Sequence, residues 1–146
     1  MIAQTIQLAL APVFVLVAIG NIMNLLSTRL GRIVDRSRVL QERHPGTQGT
    51  EHDEIVREMR VVDRRIHLIN RALLLLVLSA ICIGMTVVLL FVEEFSNAPL
   101  QPVAAAIFIL AVGLLMGALL LFLNETRQAT AALRIPDTFL EKDREL

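Results

Sequence analysis

The sequence predicts an all-α integral membrane protein with three transmembrane helices and a cytoplasmic, coiled-coil-like helical hairpin between helices 1 and 2. Two observations predict it: three charge-free apolar blocks, and a dense run of arginines confined between the first two. The blocks are residues 5–28, ALLLLVLSAICIGMTVVLLFV at 72–92 and VAAAIFILAVGLLMGALLLFL at 103–123. Roughly 20 apolar residues in a helix cross a ~30 Å hydrocarbon core, and each block has that length. Of the 146 residues, 55% are hydrophobic, against roughly 45–50% in a soluble domain. Three such blocks leave too little polar surface for a soluble fold.

Transmembrane helix 1 is assigned to residues 1–28. It is expected to be retained rather than cleaved, because MIAQTIQ lacks a positive charge and the small residues Ala9 and Ala11 precede the apolar run instead of following it. Net charge is zero, but ten of the fourteen basic residues lie between Arg29 and Arg71. The positive-inside bias therefore places 29–71 in the cytoplasm. The N-terminus and the external loop 93–102, which carries Glu93 and Glu94, then face outward, and the tail 124–146 faces inward.

Segment 29–71 reads as two helical arms around a turn. Apolar positions run Leu26, Leu30, Ile33 or Val34, then Leu40, mostly at three- and four-residue spacing, and after the turn Ile55, Met59, Val62, Ile66, Ile69 and Leu73, alternating four and three. HPGTQGT at 44–50 is rich in turn-formers, and Thr50 before Glu51, Asp53 and Glu54 predicts a helix N-cap with an acidic first turn. No proline separates either arm from its neighbouring span, so each arm and span form one long helix. Between transmembrane helix 2 (72–92) and helix 3 (103–123) the chain turns at SNAPLQP, with Pro102 suited to a first helical turn. Pro136 stops any helix continuing from the third span.

No catalytic constellation is present, and the expectation is a non-enzyme. His44, His52 and His67 show no helical metal-ligand spacing, and there is no phosphate loop or nucleophile elbow. No cofactor, metal or nucleic acid is implied. Apart from the Cys82 thiol, expected to pack as a small apolar group, no ionisable residue lies deep in a span, which demotes proton-relay transport and intramembrane hydrolysis. Asn124-Glu125-Thr126 matches a glycosylation sequon but falls on the cytoplasmic side. Gly113 and Gly117 form a small-xxx-small pattern that favours close helix packing in lipid.

Span one is the most polar. Gln4, Gln7, Ala11, Phe14, Ala18, Asn21, Leu25 and Thr28 share one stripe that continues to Arg32 and Asp35, beside a second stripe of Gly20, Asn24, Ser27 and Gly31. Amides in hydrocarbon cost free energy unless they meet partners or water. One reading has the asparagines cross-linking helices. The other has copies of this helix enclosing a pore in a homo-oligomer: Gln4 and Gln7 at the outer mouth, Phe14 as constriction, Asn21, Asn24 and Thr28 in the inner vestibule, Arg29 and Arg32 at a basic exit. External Glu93 and Glu94 would favour cations, and the arginines anions. The expected function is a homo-oligomeric channel for ions. The alternative is a non-enzymatic membrane scaffold whose hairpin binds a cytoplasmic protein partner.

The block LAPVFVLVAIGNIMNLLSTRLGRIVDRSR, followed by RRIHLINRALLL and two further spans, resembles the family catalogued as domain of unknown function 2721. The resemblance covers residues ~5–123 and implies a three-span protein of the bacterial inner membrane. It carries over no catalytic residues.

Overall fold

A computed structural model describes residues 2–132 of the chain, and among these all regular structure is helical. Helix α1 is Ile2–Arg43, a short 3₁₀ turn is His44–Gly46, α2 is Thr50–Ser96 and α3 is Gln101–Ala132. Each apolar block is embedded in a longer helix, and all three helices are long and apolar enough to cross a membrane. At ~1.5 Å per residue, the 47-residue α2 is about 70 Å long, more than twice a hydrocarbon core. The tail beyond residue 132, including Pro136, lies outside the described residues.

The ends of α2 follow from local chemistry. Its N-cap is Gly49, one residue before the predicted Thr50, at φ 69°, ψ −137°. A positive φ suits glycine, which lacks the Cβ that makes this region costly. The Gly49 carbonyl accepts the Asp53 N–H at 3.2 Å. The first turn carries Glu51 and Asp53 as expected, favourable to the helix dipole. At the other end Asn97 takes the left-handed conformation (φ 52°), and its N–H bonds the Glu93 carbonyl. Pro102 falls in the first turn of α3, where a missing N–H is tolerated. Thr47 and His52 close the arm-to-arm turn: the Thr47 hydroxyl donates to the His44 carbonyl at 3.1 Å, and the His44 and His52 rings lie 4.5 Å apart.

Helix α2 is central, with α1 packed on one flank and α3 on the other. Buried positions recur every seven residues. On α1 they are Thr5, Pro12, Ile19, Leu26, Ile33 and Leu40, and on α2 Ile55, Val62, Ile69, Leu76 and Ile83. From Ile19 to Leu40 and from Ile55 to Ile83 this seam consists of branched aliphatics, and it joins the apolar blocks to the charged arms without interruption. A second buried register on α2, Ala72, Ser79 and Thr86, faces the α3 register Ala104, Ala111 and Ala118. Small side chains let two backbones approach closely in a setting where burial from water contributes nothing. The approach is close enough for the Ser79 hydroxyl to donate to the Ala111 carbonyl at 2.7 Å.

Large apolar side chains point away from this core: Leu74, Ile81 and Val88 on α2 are 55–59% exposed, and Ile109 on α3 is 71% exposed. A contiguous apolar exterior of this kind suits lipid contact rather than water. Because Ala111 is fully buried, Ala111→Leu is expected to overpack the α2–α3 seam and cost about 1–3 kcal/mol. Thermal unfolding in detergent checks this, with Ile109→Leu as the neutral counterpart.

Candidate functional site

The α3 register of small residues ends in a charge. One seven-residue step beyond Ala118 stands Glu125, which is fully buried. One such step before Ala72 on α2 stands Arg65, which meets it. Arg65 donates to Glu125 Oε1 from Nη2 at 2.8 Å and from Nε at 3.1 Å. From α1, Arg29 Nη1 donates to Glu125 Oε2 at 3.0 Å. The Arg29 guanidinium also lies over the Phe122 ring, 5.1 Å from its centroid, so the ring holds the cation from the other side. One carboxylate thereby ties all three helices together where the first and third apolar blocks end.

Removing a carboxylate from water costs several kcal/mol, and here three charge-assisted N–H donors offset it. The arginine side chains keep 36% (Arg29) and 22% (Arg65) of their surface exposed. Two cations on one anion leave a local excess of one positive charge. The geometry, one carboxylate gripped by donors from two other helices, is that of a clamp.

Sequence reasoning missed this node. Glu125 stands two residues past the third apolar block and reads there as a flanking charge. The usable signal was its place in the series Ala104, Ala111, Ala118, Glu125, together with its being the sole acid between Glu94 and Asp137.

The candidate pore residues lie on the opposite side of α1 from the packing seam. Gln4, Gln7, Asn21, Asn24, Thr28 and Arg32 are exposed, and Phe14 is 68% exposed. Ala11, Ala18, Leu25 and Asp35, which complete the stripe, are exposed too. Neither Asn21 nor Asn24 hydrogen-bonds through its side chain to α2 or α3; Thr28 donates to the Asn24 backbone carbonyl at 3.0 Å. The fold of one chain therefore leaves this polar face unused from end to end. Arg29 stands apart from the stripe, turned to Glu125.

At the far end of the bundle Glu93 and Glu94 are half-buried, and Glu94 accepts a hydrogen bond from Thr5 at 2.9 Å. They line an open cavity of about 520 Å³ with Gln4, Thr5 and Gln101. Gly117 packs toward Leu75 of α2, while Gly113 faces open space. Cys82 is half-buried and unpaired. Among the described residues no group of three or more His, Cys, Asp or Glu side chains is placed to hold a metal ion.

No curated protein and no solved structure matches the chain. A family model does, over residues 9–135, which takes in α1 from its third turn, all of α2 and α3, and therefore both the clamp and most of the exposed face. The chain belongs to the family described as Protein of unknown function (DUF2721).

Proposed function

We propose that the chain forms a homo-oligomeric channel in which copies of α1 surround a central axis and pass ions. The observation that carries this reading is the exposure of the whole stripe from Gln4 to Asp35 in the folded chain. Amides left facing hydrocarbon are costly, and neighbouring copies or water remove that cost. The stripe has the same seven-residue repeat as the packed seam (Gln4, Ala11, Ala18, Leu25, Arg32 with Gln7, Phe14, Asn21, Thr28, Asp35). That repeat is what a second, coiled-coil-like contact between symmetric copies requires. Phe14 forms an apolar constriction and Asn21 a polar ring below it. With Arg29 engaged by Glu125, the inner basic ring reduces to Arg32, one turn from Asp35. Glu93 and Glu94 sit at the opposite mouth.

In this reading the arms are cytoplasmic and the N-terminus faces out, following the arginine bias, and the membrane is the bacterial inner membrane that the family resemblance implies. The test is conductance of the purified oligomer in planar bilayers. Phe14→Ala is expected to raise single-channel current by widening the constriction. Silent bilayers across ions and voltages, from a protein verified as oligomeric, would overturn the reading.

A second reading, a scaffold whose arms dock a cytoplasmic protein, is favoured by one feature. Ser37, Gln41, Met59, Arg60 and Asp63 line a 360 Å³ concavity between the arms. Deleting residues 36–60 should then abolish capture of a cytoplasmic partner in a pull-down from cells, and unchanged capture would sink this version.

A further inference from the structure

We propose that Arg64, His67, Leu68 and Arg71 of α2 form a binding site for the phosphate of an anionic phospholipid headgroup. These residues stand at i, i+3, i+4 and i+7, so one face of α2 carries them all. With Asp63 they line an open concavity of about 440 Å³. Arg71 is the last charged residue before the apolar run 72–92, and α2 continues through both segments without a break. Arg64 lies seven residues farther out, about 10 Å along the axis. That span matches the ~5–8 Å headgroup layer on one side of a bilayer plus the reach of a guanidinium. Leu68, half-buried between them, offers the apolar contact that the glycerol end of a lipid needs.

What marks this cluster is that two guanidinium groups, free of carboxylates among the described residues, stand on one face of α2 directly beside the apolar block. Arg29 and Arg65 are spent on Glu125, and Arg36 bonds Glu58 at 2.7 Å. Arg64 and Arg71 are exposed and pair with no carboxylate among the described residues. Asp63 is the acid in the concavity; it lies on the side away from the apolar block and 3.8 Å from the His67 ring. Two unpaired guanidinium groups therefore flank the position where a lipid phosphate would enter, independently of whether α1 lines a pore. An anionic lipid is favoured over a free phosphate because the site borders the apolar block and includes Leu68.

The chain has no tryptophan or tyrosine, so binding is best read as a melting-temperature rise by circular dichroism. The full chain in zwitterionic detergent is titrated in turn with phosphatidylglycerol, phosphatidylcholine and inorganic phosphate. The expected result is a saturable rise with phosphatidylglycerol and none with the other two. In Arg64→Gln/Arg71→Gln the half-saturating concentration should rise about 30-fold, from the surface attraction of two arginines. Arg38→Gln/Arg43→Gln, with the same charge loss toward the arm tip, should leave it unchanged. If the first double variant fails to fold, either single variant should show about a fivefold shift. An equal response to phosphatidylcholine would overturn the proposal, as would full reproduction by inorganic phosphate. An undiminished response in the folded Arg64/Arg71 variants would overturn it as well.

Discussion

Glu125→Ala is expected to lower the stability of the bundle by about 3 kcal/mol, measured by unfolding in mixed detergent micelles. Breaking a buried ion pair by removing one partner costs ~3–5 kcal/mol, because the surviving charge is left without compensation. The lower end applies because Arg29 and Arg65 keep 36% and 22% of their side-chain surface exposed, so water softens the loss. The loss should be localised: α3 is held along Ala104, Ala111 and Ala118 by packing, but its last turns are anchored through the two arginines. Cleavage by added protease near residues 124–132 should therefore accelerate before the rest of the chain opens. Arg65→Leu should cost more than Arg29→Leu, since Arg65 supplies two of the three donors. The triple replacement Arg29→Leu, Arg65→Met, Glu125→Leu should recover most of the stability, because no charge then remains to be desolvated. A Glu125→Ala loss below about 1 kcal/mol would show that the carboxylate is not what holds the node.

Asn21→Leu should produce the second large effect, on conduction rather than stability. In the folded chain Asn21 is exposed and bonds to no neighbouring helix. Its replacement should change stability by no more than about 0.5 kcal/mol. In a ring of copies around a wet axis, the same change replaces a polar girdle with an apolar one just below Phe14. Such a constriction dewets, and each ~1.4 kcal/mol added to the permeation barrier lowers current about tenfold. A tenfold or greater fall in single-channel current with unchanged oligomer size is the expected outcome. Unchanged current, with weaker association between copies, would assign the asparagine to packing, where one hydrogen bond contributes about 0.6 kcal/mol.

The elements that were legible in the sequence were those with a long-range signature. Three charge-free blocks marked the three helices long and apolar enough to cross a membrane, and HPGTQGT marked the turn, because glycine and proline act locally and the same way in any context. The α1–α2 seam was legible too, since Leu26, Ile33, Leu40, Ile55, Val62 and Ile69 contrast with charged neighbours. The α2–α3 contact was hidden inside blocks that carry no charge, where Ser79 and Thr86 are the only hydroxyls and both lie on the buried side. There no charged face marks the solvent side, and attention falls on Gly113 and Gly117, although the buried α3 register is Ala104, Ala111 and Ala118. The clamp was illegible for a related reason. An arginine beside a span has a sufficient explanation in topology, so nothing local separates Arg29 and Arg65, which pair with Glu125, from Arg64 and Arg71, which do not. The polar stripe on α1 was readable as a pattern, but it stays exposed in the single chain, so its environment is not encoded in the fold of one copy.

The most direct test of the α1-lined axis uses cysteine accessibility in a Cys82→Ser background. Asn21→Cys is placed on the exposed stripe and Ile109→Cys on the outward apolar face of α3, 71% exposed in the single chain. Each variant is reconstituted and treated with a charged, water-soluble thiol reagent while current is recorded. Asn21→Cys is expected to be modified with a change in current, whereas Ile109→Cys, facing lipid, stays unmodified. If Asn21→Cys is no more reactive than Ile109→Cys, the axis is not wet and α1 does not line a pore.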